Sequence, residues 1–345
     1  MTVHVYSSFS FAYLDRARVL YASLKRHCPD FRLWAVLIDE APDGFEFDPA
    51  AEDFDHLLTA EDLYGDEAES FLFGHNIVEA CTAVKGRALL HLMGQDDCDL
   101  VLYLDPDIAV FRPLDDLAET CARHAISLTP HQLTPDESDR AIRDNEVTSL
   151  HLGVFNLGFL GVSPSDEGWA FARWWTARLD ALCVDRRHEG IFVDQKWCDL
   201  VPCFFEDVKI LRDPGLNVAS WNISRRDVRI HDDGAITVNG APLGFWHFTK
   251  LGPVGDAMTQ RYAGENTDIH EIWWWYRAEV LRNRDPAIPD AYWAYGTFED
   301  GLPIPGNLRE LYRSRPDARA EFPRPRAADN QSFRNWARLH GGLGA

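Results

Sequence analysis

The stretch that decides the fold is Leu100-Val101-Leu102-Tyr103-Leu104-Asp105-Pro106-Asp107-Ile108-Ala109-Val110-Phe111. Its first five residues are apolar and rich in β-forming side chains, which predicts a buried strand. Asp105 and Asp107 follow at the end of that strand, where an open α/β sheet binds its ligands. Two neighbouring carboxylates are costly to bury without a cation. We therefore expect a Mg²⁺ or Mn²⁺ site that also holds a substrate phosphate, the alternative being a solvated turn around Pro106.

The composition limits the partners of the chain. Of its 345 residues, 46% are hydrophobic, which is enough for one large domain with an appendage or for two domains. The formal net charge is -21, from 55 acidic and 34 basic residues. Nucleic-acid binding requires a positive surface, so we expect no nucleic-acid partner. Broad attachment to anionic lipid is disfavoured for the same reason.

Cysteine usage and hydropathy predict where the protein resides. Seven cysteines are present, and none forms a C-x-x-C pair, as is usual in a reducing compartment. The first residues lack a basic segment followed by an apolar one, so no signal peptide is expected. No apolar run approaches the length of a membrane span. We expect a cytoplasmic protein without a membrane span, and peripheral association with the inner face of a membrane stays open.

The order of apolar segments predicts an α/β fold. A strand over 3–6, a helix over 13–27 and a strand over 33–38 form the opening βαβ unit of a parallel sheet. Further strands are expected over 100–104, 125–129, 154–162 and 243–248, with helices over 76–93, 167–183 and 269–280. Beyond residue 252 the composition shifts towards Pro, Arg and aromatic residues. We expect a catalytic domain over 1–252 and a helical and looped extension over 253–345.

Three further clusters carry polar side chains within or beside apolar segments. They are Asn156 with Gly158, Asp194 with Gln195, and His247 with Lys250. Gly158 would let a ligand approach the backbone, and the carboxylate and carboxamide pair would serve as an acid, a base or a sugar contact. His247 would complete a metal site begun by two aspartates, and Lys250 would pair with a phosphate. Each cluster alone also fits an ordinary role, namely a buried strand, a helix N-cap or a core histidine.

These clusters, in this order, resemble those of GT-A glycosyltransferases. The likeness is to glycosyltransferase family eight in particular, which includes glycogenin and bacterial lipopolysaccharide galactosyltransferases. The residues that carry it are Ser7-Ser8-Phe9, Thr82-Ala83-Val84-Lys85, Tyr103-Leu104-Asp105-Pro106-Asp107, Asn156-Leu157-Gly158, Asp194-Gln195, Leu216-Asn217 and His247. The resemblance implies a GT-A fold, that is, a mixed and mostly parallel sheet flanked by helices, with a C-terminal extension.

The resemblance also implies a reaction. A sugar would pass from a nucleotide-sugar donor, most often a UDP-sugar, to a glycan or glycolipid acceptor, with the help of Mn²⁺ or Mg²⁺. In the family's pattern Asp105, Asp107 and His247 match the metal ligands. The positions that line the reacting sugar are matched by Asp194, Gln195 and Asn156. The other donor contacts that the resemblance implies are Ser7, Ser8, Phe9, Tyr13, Asp39, Lys85, Gly158 and Lys250.

Two stereochemical outcomes stay open. With retention of configuration, which analogy favours, Asp194 or Gln195 would stabilise the face of the sugar. With inversion, Asp194 would be the general base for the acceptor hydroxyl. The chain departs from family eight after the histidine, where His-x-x-Gly-x-x-Lys-Pro-Trp is replaced by His247-Phe248-Thr249-Lys250-Leu251-Gly252-Pro253. This departure leaves the exact family open.

Aromatic residues near the C-terminus are candidates for the acceptor side, and three alternative functions are weighed against the glycosyltransferase. Trp293 and Tyr295 are expected to contact the acceptor, because they lie in a segment bounded by Pro and Gly and aromatic rings stack on sugars. One alternative is a nucleotide-sugar-binding protein without turnover. Another is a haloacid-dehalogenase-like phosphohydrolase, although such enzymes have Asp-x-Asp-x-Thr near the chain start and Ala109 stands two residues after Asp107 here. A nucleotidyltransferase is disfavoured because no Gly-rich phosphate loop lies near the N-terminus.

Overall fold

A seven-stranded mixed sheet forms the centre of the computed structural model, which describes residues 1–339. The strands are, in sequence order, β1 (Val3–Phe9), β2 (Arg32–Leu37), β3 (His56–Thr59), β4 (Leu100–Leu104), β5 (Ile108–Val110), β6 (Ile126–Pro130), β7 (Phe155–Val162), β8 (Asp185–Arg186), β9 (Ile191–Phe192), β10 (Val208–Ile210), β11 (Val228–Ile230), β12 (Ile236–Val238), β13 (Ala241–Pro242) and β14 (Phe245–His247). The main sheet has the order β10-β6-β7-β4-β1-β2-β3. Within it, β7 runs antiparallel to both β4 and β6, and the other pairs are parallel. The predicted α/β fold with a mixed, mostly parallel sheet is thus confirmed.

Helices cover both faces of this sheet. They are α1 (Leu14–His27), α2 (Ala60–Tyr64), α3 (Ala68–Phe73), α4 (Ile77–Ala83), α5 (Lys85–Met93), α6 (Asp115–Ala122), α7 (Asp139–Ala141), α8 (Thr148–Leu152), α9 (Asp166–Leu182), α10 (Val201–Phe204), α11 (Pro253–Ala263), α12 (Thr267–Asn283), α13 (Gly306–Ser314), α14 (Pro316–Glu321) and α15 (Phe333–Leu339). Helices α1 and α6 pack on one face, and α4, α5 and α9 pack on the other. Strand β1 shows the alternation that this requires, because Tyr6 packs with the second group while Val5 and Phe9 pack with the first.

Several boundaries differ from the sequence prediction for local reasons. Strand β1 continues beyond Tyr6, because Ser7, Ser8 and Phe9 pair with Ala35, Val36 and Leu37 of β2. The helix expected over 76–93 is divided into α4 and α5 at Val84. The acidic segment 41–71, in which no element is expected, contains β3, α2 and α3. These elements have four to six residues each, which is too short for a clear periodic pattern.

The topology places a ligand crevice at one edge of the sheet. From β1 the chain adds β2 and β3 on one side, and it then returns to place β4 on the other side of β1. Such a reversal of strand order is where open α/β sheets bind ligands, beyond the carboxyl ends of the strands. The segment that begins at Ser10 follows β1, and Asp105 follows β4. The two segments singled out from the sequence therefore meet at this edge.

The C-terminal segment packs on the sheet domain through apolar contacts. Helix α12 buries Ile269, Ile272, Trp273 and Tyr276 in a cluster that includes Val19 of α1. Helices α13 to α15 form a separate cluster around Phe73. Within residues 1–339, the helices are all too short or too polar to cross a membrane.

Candidate active site

A cleft of about 530 Å³ opens at the carboxyl ends of β1 and β4. It is lined by most of the residues that the sequence predicts for a site: Ser8, Phe9, Tyr13, Lys85, Asp105, Asp107, Asn156, Asp194, Gln195, His247 and Lys250. Because these residues come from segments up to 240 positions apart, the fold itself assembles the cleft. The other five predicted residues, namely Ser7, Asp39, Gly158, Trp293 and Tyr295, do not line the cleft.

The floor of the cleft holds a cluster of two carboxylates and an imidazole. One ligand atom each of Asp105, Asp107 and His247 lies within 4.8 Å of the others. His247 Nε2 is 3.0 Å from Asp107 Oδ1 and 3.5 Å from Asp105 Oδ2. Carboxylate oxygens with an imidazole nitrogen suit Mn²⁺, and the carboxylates alone also suit Mg²⁺. The residues present therefore fit the metal that the sequence predicts.

Antiparallel pairing of β5 and β14 brings these three side chains together. His247 lies opposite Ile108 in the register of the two strands. Next to it, the backbone N–H of Phe248 donates to the carbonyl of Asp107 at 2.8 Å. The two aspartates flank Pro106 in the turn between β4 and β5, where Ile108 N–H donates to the carbonyl of Asp105. The strand register thus sets the spacing of the cluster.

Charge is concentrated at this buried position. Asp107 is 7% exposed and His247 is 3% exposed. Burial raises the pKa of Asp107, but His247, Arg16 and a backbone hydrogen bond together lower it, and the net shift is downward. For His247 burial lowers the pKa, whereas Asp107 and Asp105 raise it, and the net shift is upward. The negative charges of Asp105 and Asp107 therefore favour a cation at this position.

A second buried cluster lies on the other side of Asp105. Lys85 Nζ donates to Asp194 Oδ2 at 2.7 Å, to Asp105 Oδ1 at 3.2 Å and to the carbonyl of Leu157 at 3.2 Å. The hydroxyl of Tyr103 also donates to Asp105 Oδ1, at 2.5 Å. Burial lowers the pKa of Lys85, yet the two carboxylates raise it by more. Lys85 thus links Asp105 to Asp194.

Asp194 and Gln195 lie in a strained turn that directs them to the cleft. The preceding residue, Val193, has φ of 37°, a conformation that is unfavourable for a β-branched residue and that clusters at functional sites. The carbonyl of Asp194 accepts a hydrogen bond from Trp175 Nε1 at 3.2 Å, and Gln195 Nε2 donates to the carbonyl of Leu152 at 3.0 Å. Burial raises the pKa of Asp194, and Lys85 offsets this only in part.

Two exposed cations lie at the rim of the cleft. Lys250 and Arg143 both line the cleft and are exposed. Within residues 1–339, neither side chain forms an ion pair or a hydrogen bond. Arg143 belongs to a π-helical turn over Ile142–Val147, and such turns are frequent at functional sites. In a chain of net charge -21, two unpaired cations beside an acidic cluster are available to a phosphate-bearing ligand.

Gly158 has a different role from the one expected. It does not line the cleft but lies beneath His247, so that a Cβ at this position would be 2.5 Å from His247 Nδ1 and 2.8 Å from Asn156 Oδ1. Real Cβ atoms do not approach other atoms so closely. The glycine therefore makes room for the imidazole, and the prediction that it contacts a donor is corrected.

Ser7 and Asp39 also lie outside the cleft. Ser7 is fully buried within β1, and it lies on the face of the sheet that carries Val5 and Phe9. Asp39 accepts hydrogen bonds from the backbone N–H groups of Phe11, Glu40 and Ala294. Burial raises the pKa of Asp39 to about 7, although these hydrogen bonds lower it. Asp39 thus fixes the segment after β1 against the C-terminal segment and does not line the cleft.

The aromatic pair expected at the acceptor side is packed into the protein. Tyr295 is 3% exposed and belongs to the core cluster that includes Tyr6 and Tyr103, and Trp293 packs against that cluster. Their rings lie 5.2 Å apart, and neither residue lines the cleft. This packing gives no support to the prediction that Trp293 and Tyr295 contact the acceptor.

The structure adds residues that the sequence analysis missed. His131, Arg143 and Trp221 line the cleft, and Asn217 donates to Asn156 Oδ1 at 2.9 Å. The ring of Trp221 lies 5.2 Å from that of His247 and 5.4 Å from that of His131. His131 is an isolated histidine in the sequence, so no spacing signal marks it. Asn217 is part of a quoted motif, but its partner cannot be read from the sequence.

Comparison with curated proteins gives two similar but uncharacterised relatives. No protein-family model matches the chain. It is 26% identical to the uncharacterized protein YfnD of Bacillus subtilis (strain 168) over 256 residues, which cover 72% of this chain and 78% of that protein. It is 27% identical to the uncharacterized protein YfnF of the same organism over 198 residues, which cover 56% of this chain and 62% of that protein.

Several solved structures of glycosyltransferases are similar to this chain. An active-site mutant of LgtC has a TM-score of 0.47 and 16% identity over 80% of this chain and 95% of that one. The galactosyltransferase LgtC with donor and acceptor sugar analogs has a TM-score of 0.44 and 15% identity, over 81% and 100% of the two chains. The glycosyltransferase GlyE of Streptococcus pneumoniae TIGR4 has a TM-score of 0.43 and 16% identity, over 81% and 62%. Since these TM-scores lie below 0.5, they assign neither a donor nor a residue role to this chain.

Proposed function

We propose that the protein is a metal-dependent glycosyltransferase that uses a nucleotide-sugar donor, with UDP-sugars as the first candidates. Its acceptor would be a saccharide, such as a surface glycan or a glycolipid. The observation that carries the proposal is the cluster of Asp105, Asp107 and His247 on the floor of a cleft at the switch point of the sheet. Mn²⁺ or Mg²⁺ would be held by these three residues.

The chemical groups that line the cleft suit a donor with three parts. Phe9, Tyr13, Ile77 and Val78 line it, and Tyr13 is 37% exposed, which suits an aromatic base. The cluster of two carboxylates and an imidazole, with the cations of the rim, suits a metal-bound diphosphate. Asp194 and Gln195 add polar groups to the lining, which suits a sugar.

Each group would act at the point where charge develops. A bound metal ion would supply charge stabilisation for the leaving diphosphate. Lys250 and Arg143 would add hydrogen bonds and positive charge to the same group. Asp194 would face the sugar, where it would stabilise the positive charge of an oxocarbenium-like state. His247 and Asn156 would keep the floor of the cleft in place.

We extend the proposal to retention of configuration. A general base for the acceptor must be free to take a proton. The carboxylate of Asp194 already accepts a hydrogen bond from the Lys85 ammonium at 2.7 Å and is 3% exposed. Such a group is better placed to stabilise positive charge than to deprotonate an acceptor. Inversion would require Asp194 to leave Lys85.

The proposal also assigns different roles to the two parts of the chain. Residues 1–252 would bind the donor, and residues 253–345 would shape the acceptor side. Helix α11 supports this division, since Met258 and Arg261 bring the C-terminal segment to the rim of the cleft. The acceptor would then approach over α11 and the π-helical turn, and not over Trp293 and Tyr295.

The test is release of nucleoside diphosphate from a panel of UDP- and GDP-sugars, with Mn²⁺ and with a chelator. We expect release from at least one donor with Mn²⁺, and a loss of about 100-fold or more in Asp107→Asn. Asp180→Asn is the matched control, because Asp180 pairs with Arg87 away from the cleft. Binding of a donor without release would indicate a binding protein, and hydrolysis of p-nitrophenyl phosphate with no donor release would indicate a phosphohydrolase. Either result contradicts the proposal.

A further inference from the structure

The amide of Asn156 contacts His247, the imidazole of the candidate metal-binding cluster. Asn156 is 7% exposed and belongs to β7. Its Oδ1 accepts hydrogen bonds from Gly158 N–H at 3.0 Å and from Asn217 Nδ2 at 2.9 Å. The same oxygen lies 3.2 Å from His247 Nδ1. Three polar neighbours therefore surround one carbonyl oxygen.

The backbone N–H of Gly158 determines how this amide is oriented. A backbone N–H can only donate, so the atom of Asn156 that faces it must be the oxygen. If the oxygen faces Gly158, the neighbouring Nδ1 of His247 must carry a proton in order to donate to it. Each neutral imidazole has one protonated and one unprotonated nitrogen. Neutral His247 therefore has its lone pair on Nε2, the nitrogen that faces Asp105 and Asp107.

The other end of the amide is fixed as well. Asn156 Nδ2 lies 3.2 Å from Nε2 of His131, which is 7% exposed. Since an amide nitrogen donates, this nitrogen of His131 is the acceptor. Asn217 in turn donates to Thr129 Oγ1 at 2.8 Å. Contacts at both ends of the amide thus oppose a flip that would turn its NH₂ group towards His247.

We infer that Asn156 is a positioning residue, which holds His247 in the tautomer and orientation that present Nε2 to a divalent metal ion. The sequence resemblance places Asn156 beside the reacting sugar, whereas the geometry assigns it to the metal-binding side chain of His247. This inference rests on the metal site of the proposed function. Partners of this kind, behind a metal-bound histidine, typically change metal affinity by 10- to 100-fold when they are removed.

The experiment measures Mn²⁺ binding, and it needs no donor or acceptor. Calorimetric titration gives the affinity, and pulsed EPR of bound Mn²⁺ detects the ¹⁴N coupling of a directly ligated imidazole. We expect Asn156→Ala to weaken binding by about 10- to 100-fold and to reduce the ¹⁴N coupling. Asn156→Asp, which keeps an acceptor oxygen towards His247, should recover most of the affinity and the coupling. Asn156→Thr, which suits a β-strand, replaces the alanine variant if that variant does not fold.

The control is a buried asparagine in the wall of the same cleft. Asn145 is 1% exposed and bonds to Asp136 and Ser224, away from the metal-binding cluster. Asn145→Ala should therefore bind Mn²⁺ like the wild type. If the wild type binds Mn²⁺ and the Asn156 variants match it in affinity and ¹⁴N coupling, the inference is wrong and the proposed function stands. If the wild type binds no Mn²⁺, both the inference and the metal-dependent function are wrong.

Discussion

Two regions of the molecule carry side chains that suit a nucleotide sugar, and they use them in opposite ways. On the floor of the cleft, Asp107 and His247 are buried, Asp105 is partly buried, and all three line an open cavity. In the C-terminal segment, Tyr295 is buried in the core, and Trp293 packs against the core beside it. The first region gathers groups that are costly to bury, whereas the second buries groups whose burial is favourable.

The comparison shows which kind of residue is informative in this chain. A buried carboxylate requires a charged or hydrogen-bonding partner, so its presence predicts a specific neighbourhood. A tryptophan or tyrosine in a loop gains free energy wherever it can be covered, so its presence predicts little beyond burial. Function is therefore better inferred from polar groups at strand ends than from aromatic residues.

The largest expected effect concerns the ion pairs of Lys85 with Asp194 and Asp105. Lys85→Met should lower the free energy of unfolding by about 3–5 kcal/mol, because it leaves Asp194 buried without its partner. Urea titration followed by circular dichroism measures this. The matched control is Lys25→Met, since Lys25 pairs with Asp55 at 2.7 Å but its side chain is 42% exposed. A change of less than about 1 kcal/mol is expected there. Equal effects of the two substitutions would mean that the ion pair of Lys85 with Asp194 is not buried in solution.

The second prediction compares the buried Tyr295 with Tyr13 of the cleft, by stability and by affinity for UDP. Tyr295→Ala should cost about 3 kcal/mol of stability and leave the affinity for UDP with Mn²⁺ unchanged, because Tyr295 is buried away from the cleft. Tyr13→Ala should cost little stability but weaken UDP binding by about 10-fold, as expected for the loss of a base-stacking ring. Thermal melts and calorimetry measure the two quantities. A large loss of UDP affinity in Tyr295→Ala would show that the segment with Trp293 and Tyr295 contributes to the binding site.

The smallest effect concerns Asp39, which joins the two regions. Its pKa in the folded protein is about 7, above the usual value near 4 for an unfolded chain. A raised pKa means that the stability associated with the protonated group is present at low pH and is lost as the pH rises through about 7. Asp39→Asn removes this titration. The melting temperature of the variant should therefore rise relative to the wild type by about 2–4 °C between pH 5 and pH 8. A constant difference across this range would show that Asp39 is ionised throughout.

The fold was predictable from local patterns where segments are long and regular. The strand over 100–104 is observed as β4, and the helix over 269–280 lies within α12. The helix over 167–183 corresponds to α9 with a shift of one residue. By contrast, β3, α2 and α3 are short and lie in an acidic segment, and their formation depends on pairing with β2 and on packing. Long-range contacts of this kind leave no local signal.

The candidate site was predictable in part for the same reason. Asp105 and Asp107 are adjacent to a clear strand, and His247 lies within a short apolar strand, so their positions follow from local structure. The roles of Gly158 and Asn156 depend on their distance to His247, which is set by the register of β5 with β14 and by the packing of β7. His131 directly follows β6, and Arg143 lies in the π-helical turn between β6 and β7. No sequence pattern places such residues against the cleft.

The most direct test of the central claim is calorimetric binding of UDP and GDP, with and without Mn²⁺, to the wild type and to Asp107→Ala. The account predicts that the wild type binds UDP in a metal-dependent manner. It also predicts that Asp107→Ala loses this binding while its circular dichroism spectrum shows that the variant is folded. If neither nucleotide binds with any divalent metal, or if Asp107→Ala binds as tightly as the wild type, the cluster on the floor of the cleft is not a metal site for a nucleotide sugar.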